Sequence, residues 1–431
     1  MLLRTAAPLM ASQLFFALNT FVTQFFLARH SGVSVHASLP GSMLAIAFMS
    51  FFNAALGYAG TVFAMHDGAG RSDRALNAFV QSLYLTLFSL PLLALGCPLA
   101  RIILSIFNSS PEVYRAEVAY FDILMPNAAL TILGSVLAGY FTGRGKTKLV
   151  GTITSIGFAI NMALSPIFIS GATGPGGVIG AGIAQTLAHA FTVVAIGAAI
   201  CRSKDFKERT FSLAPHFFAE ETLEIIRLGV PNGLRVLLEI GGFFVFTALV
   251  AELPSSAAIA STIVFALNGI FYSMVQALAS AQEILIGRAL ADGERRASFT
   301  KSATLITLFL SLLYAAVFLA SPDFWFDIFT CSNPNAMRED VRIAGRTLLV
   351  IAAVKSPVEF LSLVLQGTLR GMGKTAAVLK TLSIVSFGVW IPLYLIVRIC
   401  RPDVNLYWMT MIASCLVSCL ILYRQISHAG K

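Results

Sequence analysis

Charge is what this 431-residue chain has least of: Asp, Glu, Lys and Arg together make up 12% of it. A soluble domain carries about a quarter of its residues charged, so a water-exposed globular surface is excluded. Catalytic signatures are missing too. There is no His-Glu-x-x-His, no Gly-x-Ser-x-Gly and no histidine cluster, which removes the common routes to an intramembrane enzyme. The six cysteines (Cys97, Cys201, Cys331, Cys400, Cys415 and Cys419) form no Cys-x-x-Cys pair. Cys415 and Cys419 lie one helical turn apart in an apolar run and read as small packing residues. The apolar run at the N-terminus is longer than a signal-peptide core and no cleavage site follows it, so it reads as a first membrane span. Basic clusters are absent as well: the net charge of +9 is spread over short loops, which fits membrane topology and excludes nucleic acid as a partner.

Hydrophobic side chains are plentiful, at 57% of the chain with a mean hydropathy of +0.81. Apolar runs of about 20 residues recur along the chain, the length needed to cross some 30 Å of hydrocarbon. Short alternating strands, the mark of a β-barrel, are not seen. The expected fold is an all-α polytopic membrane protein with about twelve transmembrane helices. They fall near 5–28, 39–65, 76–100, 116–142, 147–170, 177–200, 222–251, 256–287, 299–321, 339–369, 376–398 and 404–424. The longest polar stretch, 201–221, is read as a cytoplasmic linker between an N-terminal lobe (1–200) and a C-terminal lobe (222–431). With both termini cytoplasmic, about 19 Lys and Arg fall on the inside and about 8 on the outside.

One short turn occurs twice. "GYFTGRGKT" begins at Gly139, and "GTLRGMGKT" begins at Gly367, 228 positions on. "RTAAP" (Arg4–Pro8) matches "RLGVP" (Arg227–Pro231), and "GAGRSDRA" (Gly68–Ala75) matches "LADGERRA" (Leu290–Ala297). Three landmarks in the same order predict two six-helix lobes. Six spans is an even number, so the lobes keep one orientation and form a parallel repeat about the membrane normal. Such repeats imply bundles that rock to give alternating access. The Gly-Lys-Thr lacks phosphate-loop spacing and lies between membrane helices, so it reads as a cytoplasmic turn.

The repeat, together with "PLMASQLFFALN", "GFAINMALSPIFISGATGPGGVIGAGIAQ", "LGVPNGLRVLLEIGG" and "SPVEFLSLVLQGTLRGMGKT", resembles the MATE (multidrug and toxic compound extrusion) family of the MOP flippase superfamily. The likeness covers nearly the whole chain and is NorM-like in the C-terminal lobe. It implies export of organic, cationic amphipathic solutes in exchange for Na⁺ or H⁺, with no cofactor. It also implies a monomer in the cell membrane, the inner membrane if bacterial. One branch of the family holds its coupling ion with N-lobe aspartates. Here those positions are Thr23 and Ser165, and only Asn161 is kept. A neutral set remains: Asn19, Thr23, Gln24, Asn53, Asn161, Gln185 and His189. In the C-lobe the resemblance implies a coupling-ion and substrate site at Glu239 and Glu359, with Na⁺ at these two carboxylates if Na⁺ is the ion.

The same two glutamates stand out on physical grounds. Each lies mid-span, where an ionised residue costs about 2.5–3.5 kcal/mol on insertion scales. Each has a basic residue one turn earlier, Arg235 before Glu239 and Lys355 before Glu359. Prolines at Pro8, Pro231 and Pro357 bend the helices that carry these landmarks. Two internal salt bridges that only ease burial are the structural alternative. A cation that competes with the basic partners for the carboxylates is the functional one. The alternative function is a lipid-linked oligosaccharide or polysaccharide flippase of the same superfamily, which needs fixed positive charge such as Arg235 and Lys355.

Overall fold

The computed structural model describes residues 2–30, 32–105, 111–172, 174, 176–203, 220–330 and 335–429. Helices dominate them, and no strand occurs among them. In chain order they are α1 (Leu2–His30), α2 (Gly32–Gly57), α3 (Ala59–Gly68), α4 (Ser72–Ala94), α5 (Gly96–Ser105), α6 (Pro111–Thr142), α7 (Thr147–Ile169) and α8 (Gly177–Cys201). Then follow α9 (Glu220–Ala251), α10 (Ser255–Arg288), α11 (Gly293–Leu319), α12 (Pro322–Thr330), α13 (Asn335–Gly371), α14 (Thr375–Val385), a π-helical turn (Ser386–Trp390), α15 (Ile391–Cys400) and α16 (Val404–Ala429). Eleven helical segments among the described residues are long and apolar enough to cross a bilayer, and α1 is a further helix of 29 residues. Most of the linker read at 201–221 lies outside the described residues.

The chain divides into two compact units, residues 7–237 and residues 1–6 with 238–431. The division falls inside α9. In the first unit α6 packs on α2, α4 and α8, and α7 packs on α8. In the second unit α13 packs on α10, α11 and α16, and α14 packs on α16. Counted by spans, the neighbours are the same in both: second with fourth, third with fourth, fourth with sixth, fifth with sixth. The repeat read from the sequence is thus a repeat of packing.

Glycine makes these contacts close. A methyl group on Gly60 of α3 would sit 2.9 Å from the Cα of Gly139 on α6. Gly143, one turn on, faces the ring of Phe63 and the carbonyl of Gly60. In the second unit Gly367 rests on the Ala279 carbonyl, and Gly371 rests on the Glu283 carbonyl and Ile286 of α10. Helices in lipid gain little from apolar burial against one another, so small residues that let backbones touch supply the packing. The two remaining positions of each turn end the helix. Lys146 N–H bonds the Phe141 carbonyl and Gly145 N–H bonds the Thr142 carbonyl, at 2.9 and 2.8 Å. Lys374 and Gly373 bond Leu369 and Arg370 in the same way, each at 2.9 Å. This is the Schellman pattern, and Gly145 and Gly373 both take the left-handed conformation it requires, with φ of 74°. The Gly-x-x-x-Gly-x-Gly repeat is therefore a packing seam followed by a helix stop.

Two short helices, α5 (ten residues) and α12 (nine), are not among the twelve spans read from the sequence, being too short to cross a bilayer. Arg101 of α5 reaches Asp122 of α6 at 3.0 Å. Arg346 of α13 reaches Asp323 of α12 at 2.6 Å, and Arg342 reaches Asp327. Asp122, in the fourth span, is thus paired. The π turn inside the eleventh span also has no sequence signal. Its Trp390 packs where a side chain on Gly242 of α9 would stand.

The seam predicts selective glycine intolerance. Gly139→Val and Gly367→Val should each destabilise the detergent-solubilised protein by about 1–3 kcal/mol through overpacking, read as a lower Tm. Gly197→Val, at a glycine where an added Cβ would meet nothing within 4 Å, should leave Tm unchanged.

Candidate functional site

Glu359 sits on α13 at mid-span. Lys355, one turn earlier on the same helix, places Nζ 2.8 Å from Oε1. Asn268 of α10 donates from Nδ2 to Oε2 at 3.1 Å. Lys355 is 1% exposed and the Glu359 side chain 17%. The Lys355 ammonium also lies 5.1 Å from the ring centroid of Trp408 on α16. The indole N–H of Trp408 donates to Ser261 Oγ at 2.9 Å, which fixes the ring. Pro357 lies between lysine and glutamate inside a continuous helix. Its missing N–H leaves the Ala353 carbonyl without its usual helical donor, and the Ser356 hydroxyl fills that place at 3.0 Å.

The other predicted carboxylate, Glu239, is half-buried on α9, two turns beyond Pro231. It falls in the same unit as Glu359, whereas Arg235 falls in the unit of 7–237. Arg235 is buried and donates from Nε to Asn232 Oδ1 at 3.1 Å. Asn232 in turn donates to the Ala54 carbonyl at 2.9 Å.

Within the unit of 7–237, three positions singled out by the family resemblance come together. Thr23 Oγ1 and Ser165 Oγ are 3.5 Å apart, and Ser165 donates to Asn161 Oδ1 at 3.3 Å. Asn161 and Ser165 are buried. A chain of neutral groups satisfies itself here without a charge. Asn19, one turn before Thr23, is buried as well. Asn53 is half-buried on α2, and the side chain of Gln24 lies outside the described residues. His189 Nδ1 lies 3.0 Å from the carbonyl of Gln185 on its own helix, a contact that requires the proton on Nδ1. Pro8 packs against Gly151 of α7.

Sequence reasoning misses three charged groupings. Glu283 of α10 and Arg370 of α13 form a 2.8 Å ion pair in which both side chains are 10% exposed or less. Glu224 of α9 meets buried His66 of α3 at 2.8 Å. Asn77 of α4 donates to Glu221 at 3.1 Å, and Arg74 reaches Glu220 at the same distance. The acids at the start of α9 thus hold α3 and α4, beyond any helix-dipole role. The available signal was position: Arg370 lies inside the repeated turn, where a charge so near a packing seam needs a partner. Among the described residues no group of three or more His, Cys, Asp or Glu could hold a metal ion.

A helical membrane protein with one packing scheme used twice and a charged pair inside a span has the architecture of a secondary transporter. The MatE family profile matches residues 8–167 and again residues 231–396, one match in each half. This chain belongs to the MatE family of membrane transporters and is not an enzyme. It is 26% identical over 380 residues to the probable multidrug resistance protein NorM of Shewanella oneidensis, covering 87% of this chain and 81% of that protein. The multidrug resistance protein NorM of Aliivibrio fischeri is 24% identical over 323 residues, 74% of this chain and 69% of the relative. In fold, the chain superposes on an outward-facing multidrug resistance MATE transporter of the MOP superfamily with a TM-score of 0.87 at 19% identity, covering 100% of this chain and 96% of the other. A MOP superfamily transporter from Pyrococcus furiosus, described as having a binding pocket of reverse polarity, gives 0.86 at 19% identity with the same coverage.

The buried and exposed ion pairs should differ sharply in worth. Glu283→Gln should lower stability by about 3–5 kcal/mol, because it strands a buried guanidinium. Arg101→Ala, at a pair about half exposed, should cost about 1 kcal/mol or less; thermal unfolding of both variants checks this. Hydrogen bonds from Arg346 hold the exposed Asp323 carboxyl below the usual carboxylate range. A depressed acid contributes above its unfolded pKa of about 3.9 and loses that contribution as pH falls through the folded value. The α12–α13 tie should therefore persist from neutral pH down to about 4 and weaken only below it, measurable by hydrogen exchange in α12.

Proposed function

We propose that this protein is a multidrug efflux antiporter that moves organic, cationic amphipathic solutes out of the cell in exchange for Na⁺ or H⁺ by alternating access. The observation that carries this reading is the Lys355–Glu359–Asn268 arrangement within a membrane span. Leucine would serve packing alone at lower cost, since a buried ion pair seldom stabilises more than an apolar replacement. The curated NorM relatives, named for multidrug resistance, support the substrate class. The neutral Thr23–Ser165–Asn161 chain supports placing the ionic step at Glu359 and Glu239 rather than in the N-terminal unit. If Na⁺ is the coupling ion, these two carboxylates are its ligands. The protein works as a monomer in the cell membrane, the inner one in a bacterium, with both termini cytoplasmic; the Lys and Arg distribution supports that orientation.

A second reading is favoured by the burial of two cations, Arg235 at 3% exposed and Lys355 at 1%. Fixed positive charge suits an anionic cargo such as a lipid-linked oligosaccharide pyrophosphate, and the Pyrococcus furiosus neighbour shows that the fold admits a pocket described as reversed in polarity.

Transport in reconstituted vesicles separates the two. A panel of cationic dyes should be expelled under an imposed Na⁺ or pH gradient, and one charge moving through 100 mV supplies about 2.3 kcal/mol, near fiftyfold accumulation. Glu359→Gln should abolish dye movement and Glu239→Gln should reduce it at least tenfold. Full transport by the double variant would move the site elsewhere, and competition by a polyprenyl pyrophosphate but not by dyes would favour the flippase.

A further inference from the structure

The ion pair at Glu359 is more than a neutralised acid, because of what surrounds the lysine end. The Lys355 ammonium has a carboxylate oxygen at 2.8 Å on one side and the face of Trp408 at 5.1 Å on another. Carboxylate and indole face together form the arrangement that recognises an organic ammonium ion, and the interaction strengthens where water is excluded. The indole cannot turn away, since its N–H is held by Ser261. Two further polar atoms stand near. Asn268 Oδ1, on the amide that caps Glu359, and the hydroxyl of Tyr314 have no hydrogen-bond partner, and both residues are buried. Tyr314 lies on α11, edge-on to the ring of Phe360, the residue after Glu359. Both oxygens can accept a hydrogen bond from an N–H donor. The titratable groups facing the pair are Tyr314 on α11 and Cys415 on α16, while α10 presents the neutral Asn268.

We infer that Lys355 is a tethered surrogate for the transported cation: its ammonium fills the ammonium position of a Glu359–Trp408–Asn268 site, and cargo binds by displacing it. The inference rests on the reading of Glu359 as the cargo carboxylate. It explains why a lysine is tolerated at mid-membrane. An emptied carboxylate in a span is an uncompensated buried charge, and breaking such a pair costs several kcal/mol. With the lysine waiting one turn away, Glu359 is not left bare between the departure of one cation and the arrival of the next, and while cargo is bound the cost of the unpaired charge falls on the displaced ammonium. The consequence is a built-in competitor. Cargo affinity in the native protein is set low by an ammonium at very high local concentration, which favours release.

Lys355→Ala removes three methylenes and an ammonium, and n-propylammonium replaces them. Purified full-length protein in lipid nanodiscs is titrated with n-propylammonium chloride by calorimetry, and Tm is followed in parallel. Lys355→Ala should bind it saturably in the millimolar range with a rise in Tm. The native protein, Lys355→Arg and the double variant Lys355→Ala/Glu359→Gln should not. Tetraphenylphosphonium should bind Lys355→Ala at least tenfold more tightly than the native protein, and saturating n-propylammonium should erase that gain. A folded Lys355→Ala that ignores n-propylammonium overturns the inference. Should the alanine variant not fold, Lys355→Met keeps the stem without the charge. Tetraphenylphosphonium binding by that variant no tighter than native, or by neither protein, overturns it equally. If Glu359→Gln stops dye efflux while these tests fail, only the surrogate role is lost; if Glu359→Gln transports normally, the proposed cargo site itself is wrong.

Discussion

Everything in this fold hangs on how closely the second and fourth spans of each half approach. A lipid-embedded helix pair has no water to expel, so its attraction comes from backbone contact and short-range packing. Gly60 against Gly139, and Gly367 and Gly371 against α10, bring two helix axes as near as side chains allow. Once that pair is set, the third and sixth spans find the fourth as their common neighbour in both units. The turn that follows is held by the same glycine run. The position of a charge on α13, such as Glu359, is then fixed by a seam several turns away.

The shared seam carries different chemistry in the two halves. In the first unit it is flanked by Arg144, whose guanidinium stacks over Tyr140 at 4.1 Å and Phe63 at 5.0 Å. In the second, the flanking arginine is Arg370 and its partner is the carboxylate of Glu283. A cation–π stack and a buried salt bridge do the same mechanical work of pinning the C-terminal end of the fourth span to the second. The interior differs more. Thr23, Ser165 and Asn161 close a neutral hydrogen-bond chain, whereas Glu359 needs a lysine, an amide and an aromatic face around it. Neutral groups can satisfy each other by small rotations, but a charge in low dielectric must be met by named partners.

That contrast also decides what could be read from the chain. The spans, the repeat and the Lys355–Glu359 pair were legible because each is local: apolar length, a short string written twice, and an i,i+4 spacing on one helix. The partners from other helices were not. Trp408, Ser261 and Asn268 are ordinary residues in apolar runs, and only packing brings α10 and α16 to α13. The short helix α5 merges with the apolar segment before it, since hydropathy does not mark a bend, and α12 falls between two predicted spans, too short to be read as one. The π turn at Ser386–Trp390 is equally silent, being a change of hydrogen-bond register rather than of composition.

The solvent-exposed ion pairs show how far such a repeat can drift. Arg101–Asp122 joins α5 to α6, and Asp323–Arg346 joins α12 to α13, at matching positions of the two halves. The contact is kept while its polarity is reversed, acid for base and base for acid. An exposed pair is worth so little that reversal of both charges costs almost nothing, and the geometry of the helix crossing needs only opposite signs. A lone reversal at Glu359 would be another matter, because its partners are fixed on three different helices and none can change sign with it. The duplicated halves are thus held alike by backbone contacts that tolerate no side chain. Their charges diverge wherever water is near, and the Glu359 cluster at mid-membrane belongs to the second half.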